Sequence, residues 1–188
     1  MYATDMEASS FVSVEEYLSA TYKPSCEYLD GVLRQKSMPR WDHGAIQGYL
    51  CQLINDHFAR FAAATEITVR ISATRFLVPD IVVQRRADLQ RPYPMKPVHL
   101  VIEVLSPDDR MSDTIAKCEA YHACGVPFCW IIDPEAQTGW DYPCRSTAIS
   151  NPHRGMVLWP DPLRLHRAMC LPFSWSVSRP RVTRELVH

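Results

Sequence analysis

Glycine is scarce in this sequence of 188 residues, and several common catalytic motifs are missing from it. Its six glycines fall well below the usual share of about 7%, which argues against a glycine-rich nucleotide-binding loop. The patterns Gly-x-Ser-x-Gly, His-Glu-x-x-His and Gly-x-x-x-x-Gly-Lys do not occur, so a serine hydrolase, a zincin and a P-loop protein find no support. Because there is no apolar run of about 18 residues and no signal peptide, we expect a soluble cytoplasmic protein that does not enter a membrane.

Cysteine is present in an odd number, seven, and no two cysteines have the spacing Cys-x-x-Cys. Several lie in apolar or helical stretches, which is typical of buried, reduced thiols in a cytosolic protein. The spacing of His122, Cys124 and Cys129 matches no common zinc-ligand pattern, so a zinc site there is not predicted.

The composition, with 47% hydrophobic and 22% charged residues, is that of a globular chain. We expect a flexible leader over residues 1–12 and a single domain over 13–188, irregular after about residue 144. The net charge is only −1, yet residues 143–188 carry seven arginines against two acidic residues. This basic end is either a solvated surface or a segment that faces phosphate, and the sequence leaves both open.

Local signals predict two helices and a hairpin in the first third of the chain. The capping box Ser13-Val-Glu-Glu predicts a helix over about 14–20. Asp30-Gly31 predicts a tight turn between strands near 26–29 and 32–36. Apolar residues at helical spacing predict one long helix from Trp41 to Ala63.

The rest of the chain alternates strand and helix patterns. A helix is expected over 111–124, ended by Gly125. Strands are expected over the following ranges: 66–71, 76–83, 99–105, 127–133, 138–144 and one or two short ones within 156–169. This order predicts an α/β fold.

Two carboxylates interrupt apolar strands where hydrophobic residues are expected. Asp80 lies within the run 76–83 and Glu103 within 100–105. Burying an uncompensated carboxylate costs several kcal/mol, so a cation should lie near each one. If the strands are neighbours, both acids can meet at one point and hold Mg²⁺, and burial and mutual repulsion should then raise both pKa values. The alternative is that each acid lies at a strand end and meets solvent or an arginine.

Asp133, which closes a third apolar run before Pro134, is interpreted as a turn residue.

Lys117 is one of only four lysines and lies on the helix that follows the Glu103 strand. It shares a helical stripe with Asp113 and Tyr121, so its amine can reach back toward the two acids. There it would stabilise negative charge or orient an attacking water. The alternative is a surface ion pair between Asp113 and Lys117 at spacing i, i+4.

These residues carry a resemblance to a known family. Pro79-Asp80, Glu103 in Val-Ile-Glu-Val-Leu-Ser-Pro, Asp113-x-x-x-Lys117-x-x-x-Tyr121, Gly125-Val and Trp130-Ile-Ile-Asp-Pro resemble the Uma family of restriction endonucleases, within the PD-(D/E)xK nuclease superfamily. Glu27-Tyr-Leu-Asp-Gly and His43 also match its pattern, and the resemblance spans about residues 13–144.

The resemblance implies a restriction-endonuclease-like fold, in which a mixed central sheet is flanked by helices. It implies catalytic roles for Asp80, Glu103 and Lys117, with Asp80 and Glu103 as metal ligands and with Glu27 and His43 as accessory residues. His43 is equally well interpreted as a helix N-terminal histidine with a backbone partner. The superfamily usually has a lysine two residues after the second acid; this chain has Leu105 there, and Lys117 takes the family's alternative position on the next helix.

The implied activity is hydrolysis of phosphodiester bonds in nucleic acid, with DNA as the favoured substrate and Mg²⁺ or Mn²⁺ as cofactor. Lys117 would position or deprotonate the attacking water or stabilise the transition state, and the sequence does not choose among these roles. Cutting both strands of a duplex would favour a homodimer. The alternative function is a non-catalytic nucleic-acid-binding or interaction protein built on a nuclease fold.

Overall fold

The computed structural model describes residues 11–38, 40–136, 138–142 and 157–158. Residues 1–10 of the leader expected over 1–12, and almost all of the C-terminal part after 142, lie outside this described range. The helices are α1 (Val14–Ser19), α2 (Trp41–His57) and α3 (Met111–Ala123). The strands are β1 (Cys26–Leu29), β2 (Val32–Gln35), β3 (Phe61–Thr65), β4 (Val69–Arg70), β5 (Arg75–Leu77), β6 (Ile81–Arg85), β7 (Leu100–Val104), β8 (Phe128–Asp133), β9 (Thr138–Tyr142) and β10 (Val157–Leu158).

The strands form two sheets. The larger has the order β10-β9-β8-β7-β6-β3 and is mixed, because β7 and β8 are parallel while its other pairs are antiparallel. Helix α3 connects the two parallel strands, as a parallel pair requires. The smaller sheet has the order β2-β1-β5-β4 and is antiparallel. The predicted mixed α/β fold with flanking helices is confirmed.

The central strands of the larger sheet are covered on both faces. Leu100, Ile102 and Val104 of β7 pack in one apolar cluster with residues of α2. Val101, the alternate residue, packs in a second cluster with Cys118 and other residues of α3 and of the smaller sheet. Burial on both faces explains why these strands are continuous apolar runs. Because side chains alternate along β7, Glu103 lies on the same face as Val101.

The predicted Asp30-Gly31 hairpin is present. β1 and β2 pair antiparallel, and both turn residues have positive φ, 52° at Asp30 and 95° at Gly31. Such a turn matches the twist of the strands, and Gly31 has no Cβ to oppose it. The hairpin thereby fixes the position of Glu27 on β1 and of the residues that directly follow β2.

The long helix predicted from Trp41 to Ala63 is wrong in its last part. α2 ends at His57, and Phe61–Thr65 form β3, which pairs with β6. The Asn55 side chain holds this corner: its Nδ2 donates to the Ala63 carbonyl at 2.9 Å, and its Oδ1 accepts the Ala63 N–H at 3.1 Å. Five paired residues outweigh the helical spacing of a short apolar segment.

His99 is buried beside two aromatic rings and gives a test of this core. Its ring centroid lies 4.6 Å from that of Phe61 and 5.2 Å from that of Phe128. Burial, assisted by the positive charge of Arg85, lowers its pKa from 6.5 to about 4. Between these two values the unfolded chain binds a proton that the folded protein excludes, so stability falls as the pH falls from 6.5 toward 4.

We therefore expect His99→Phe to make the protein less sensitive to acid. Between pH 7 and pH 4.5 the wild-type free energy of unfolding should fall by about 2 kcal/mol more than that of the variant. Urea denaturation of both proteins at the two pH values measures this difference. Equal losses in the two proteins would contradict the assignment, since every other titrating group is common to both.

Candidate active site

The segment predicted as one strand over 76–83 is divided between the two sheets. β5 ends at Leu77 in the smaller sheet and β6 begins at Ile81 in the larger one. Asp80 lies in the break, directly after Pro79, and not in mid-strand. The prediction of a single strand with alternating faces is therefore wrong, although Asp80 is still buried, with only 3% of its surface exposed.

The Asp80 carboxylate accepts hydrogen bonds on both oxygens. Oδ1 accepts from Lys36 Nζ at 2.7 Å and from Gln47 Nε2 at 3.2 Å. Oδ2 accepts from the Val104 backbone N–H at 2.7 Å and lies 3.2 Å from His43 Nε2. The backbone contact ties Asp80 to the end of β7, one residue after Glu103.

These partners reverse the expected direction of the pKa shift of Asp80. Burial alone would raise it, but the hydrogen bond from His43 and the charge of Lys36 outweigh burial and lower the pKa to about 2. The prediction of a raised pKa is wrong for Asp80. His43 responds in the opposite sense: burial opposes its protonation, yet the Asp80 carboxylate raises its pKa above the ordinary value.

Glu103 behaves as predicted. Its side chain is buried, and Oε1 accepts a hydrogen bond from the Tyr121 hydroxyl at 2.7 Å. Burial raises the pKa of Glu103 to about 7; the charge of Lys117 opposes the rise, and the negative charge of Asp80 adds to it. A carboxyl group of this kind is costly to ionise without a nearby cation.

Lys117 reaches inward from the second turn of α3, and its Nζ lies 2.7 Å from Oε1 of Glu27 on β1. The alternative surface pair with Asp113 is wrong, because Asp113 pairs with Arg34 at 3.6 Å. Burial opposes the charge of Lys117, but Glu103 and Glu27 together raise its pKa above the ordinary value, so the amine is a cation at neutral pH.

One cavity of about 180 Å³ brings the predicted site residues together. Its lining includes Glu27, His43, Asp80, Glu103 and Lys117. Asp133 does not line it and instead accepts the Ala136 N–H at 2.9 Å, as expected for a turn residue. The five residues come from β1, α2, the break before β6, β7 and α3, so only the folded chain assembles them.

Sequence reasoning missed three residues of this cluster: Lys36, Gln47 and Glu66. Lys36 follows β2 directly and is the cation closest to Asp80. Gln47 lies one helical turn after His43 on the same face of α2, and that spacing is a signal that would have identified it. Lys36 has only its rarity, as one of four lysines, to distinguish it.

The donor chemistry of the cavity fits a hard divalent cation. Glu27, Asp80 and Glu103 supply carboxylate oxygens, the ligands that Mg²⁺ and Mn²⁺ prefer. Within the described part of the chain, no three His, Cys, Asp or Glu side chains form a closed metal cage. A cation here would thus be held by one or two carboxylates and otherwise by water and phosphate oxygens, which is the usual environment of Mg²⁺.

None of the helices in the described residues is long and apolar enough to cross a membrane. No curated protein matches the chain. In structure the chain is similar to a solved protein described as "a putative nuclease belonging to DUF820 from Anabaena variabilis ATCC 29413". The TM-score is 0.61 and the sequence identity 27%, over 71% of this chain and 80% of that one.

A family model described as "Uma2: Putative restriction endonuclease" matches residues 14–141. The match contains all five residues that the sequence singled out around the cavity, and it covers more than half of the chain. The resemblance predicted from the motifs is therefore confirmed, and the chain belongs to the Uma2 family.

Proposed function

We propose that this protein is a metal-dependent endonuclease that hydrolyses phosphodiester bonds in DNA. The observation that carries the proposal is the convergence of Glu27, Asp80, Glu103 and Lys117 on one cavity. Membership of the Uma2 family and the likeness to a nuclease structure support it. A protein that only binds nucleic acid gains nothing from burying acidic groups beside a solvent-connected cavity, because they repel phosphate.

Asp80 and Glu103 would hold Mg²⁺ or Mn²⁺, which when bound polarises the phosphate and lowers the pKa of a coordinated water. The chain's own groups do the rest. Asp80 is fixed by the Val104 N–H and by His43, so its position does not depend on substrate. Because its raised pKa keeps Lys117 protonated, that amine acts as a cation that stabilises charge on the phosphate and not as a base.

Glu27 is a positioning residue in this scheme. It holds the Lys117 amine at 2.7 Å and thereby directs it into the cavity. The hydroxyl of Tyr121 does the same for Glu103, since it fixes Oε1 by a hydrogen bond of 2.7 Å. A homodimer, in which two such sites face the two strands of a duplex, remains our prediction for the assembly.

A nuclease assay on matched substrates tests the proposal. We expect cleavage of plasmid or linear duplex DNA with Mg²⁺ or Mn²⁺, none with EDTA, and weaker cleavage of RNA. Glu103→Gln should reduce the rate about 100-fold or more, because it removes a metal-binding charge. Asp56→Asn, an exposed carboxylate on α2, is the control and should cleave like the wild type.

Two results would contradict the proposal. Cleavage that persists in EDTA, or that is undiminished in Glu103→Gln, would show that the cavity is not the site. Tight binding of DNA without cleavage under any metal condition would favour the alternative, a non-catalytic binding protein on this fold.

A further inference from the structure

The Asp80 carboxylate has no free position for another ligand in this structure. A carboxylate offers about four lone-pair positions. Lys36, Gln47, His43 and the Val104 N–H occupy all four, at 2.7 to 3.2 Å. A metal ion can therefore reach Asp80 only if one of these donors leaves.

Lys36 is the donor that is able to leave. The Val104 N–H belongs to the backbone at the end of β7, and Gln47 and His43 are held by the helix that packs on the sheet. The Lys36 ammonium is carried on a flexible four-carbon stem, and its side chain lines the cavity with 14% of its surface exposed. It is also the only one of the four that always carries a charge to repel an incoming cation.

Two further acceptors lie beside Lys36, and the first of them, the Val78 carbonyl, accepts a hydrogen bond from the Lys36 amine at 2.9 Å. The second is Glu66, whose Oε1 lies 4.0 Å from Lys36 Nζ; this carboxylate also lines the cavity and is one-third exposed. A small rotation of the lysine stem would replace the contact with Asp80 by one with Glu66. The displaced ammonium would then keep a partner and stay in the cavity.

We propose that in the metal-free protein the Lys36 ammonium occupies the position on Asp80 that a divalent cation takes, so that Lys36 competes with the metal. The inference rests on the proposed function, since it takes Asp80 as a metal ligand. Its physical basis is that two buried carboxylates and their neighbours need a counter-charge. Lys36 supplies it, with its Nζ 2.7 Å from Oδ1 of Asp80. The competition makes the metal-free site stable at the expense of its affinity for the ion.

Calorimetric titration of the full-length protein with Mn²⁺ alone tests the competition without any measurement of activity. Lys36→Met removes the charge and keeps most of the stem. We expect this variant to bind Mn²⁺ about 10-fold tighter or more, because the metal no longer displaces a buried ammonium. Lys96→Met, an exposed lysine outside the cavity, is the matched control and should bind like the wild type.

The variant should also be recognisable by its stability. Without metal, Lys36→Met leaves Asp80 short of its counter-charge, so its melting temperature should lie below that of the wild type. Saturating Mn²⁺ should raise the melting temperature of the variant more than that of the wild type. If Lys36→Met does not fold, Lys36→Gln keeps a neutral donor for Asp80 and should show the same direction of change.

Each outcome decides the inference. Equal or weaker Mn²⁺ affinity in Lys36→Met would overturn the competition while leaving the proposed nuclease intact. No Mn²⁺ binding by any of the proteins would overturn both the competition and the metal dependence. Tighter Mn²⁺ binding by Lys36→Met would support the competition. If the wild type at the same time cleaves no DNA, that result contradicts the proposed function.

Discussion

Asp80→Ala is expected to cost about 3–5 kcal/mol of the free energy of unfolding at pH 7, which is a large part of the stability of a chain of this size. The substitution removes the acceptor of four donors at once and leaves the buried Lys36 ammonium without its closest counter-charge. It also frees the Val104 N–H at the end of β7, which is buried and needs a partner. Urea denaturation followed by circular dichroism measures the loss.

Two further variants separate charge from packing. Asp56→Ala removes an exposed carboxylate on α2 and should change the free energy of unfolding by less than about 0.5 kcal/mol. The double variant Asp80→Asn with Lys36→Met removes both charges and should recover part of the loss. A loss below about 1 kcal/mol in Asp80→Ala would show that these four contacts contribute little to the fold. The expected instability also means that Asp80→Ala is a poor test of catalysis.

Lys117→Met is expected to lower the rate of DNA cleavage about 100-fold or more and to destabilise the protein at the same time. The catalytic effect follows from loss of the cation that faces the cavity with Glu27 and Glu103. The stability effect, about 1–3 kcal/mol, follows because Glu27 is buried, with 2% exposure, and loses its ion-pair partner. The cleavage assay and urea denaturation are run on the same preparation.

The pair of effects can be separated by a compensating substitution. Glu27→Gln combined with Lys117→Met should recover stability, because the buried charge is removed, while cleavage stays lost. Lys96→Met serves as the exposed-lysine control and should retain both properties. Full cleavage by Lys117→Met would remove its catalytic role and leave Arg110, which lines the same cavity, as the next cation to test. Arg75 is a weaker candidate because it pairs with Asp30 in the hairpin turn.

The elements predicted correctly are those whose signals lie within a few residues. The Asp30-Gly31 turn, the capping box of α1 and Gly125 after α3 act through local backbone geometry, which does not depend on the rest of the fold. The boundaries that were wrong depend on distant partners. The segment from Phe61 onward becomes a strand because β6 pairs with it, and the run 76–83 divides because each half joins a different sheet.

The carboxylates of the candidate site were visible in the sequence for a physical reason. Asp80 and Glu103 stand in apolar surroundings where an acid is costly, so their presence alone indicated a compensating cation nearby. The motifs around them then led to the family. The sequence by itself therefore determined which carboxylates lie at the candidate site and which type of fold holds them.

Only the tertiary structure decided which charges meet. Lys36 contacts Asp80, which lies 44 residues further along the chain. Lys117 pairs with Glu27 on β1 of the smaller sheet and not with Asp113 on its own helix. No local pattern encodes such contacts, because they depend on how the two sheets and α3 pack together. The low pKa of Asp80 and the high pKa of Glu103 follow from that packing, since both acids are buried but only Asp80 is in direct contact with Lys36 and His43.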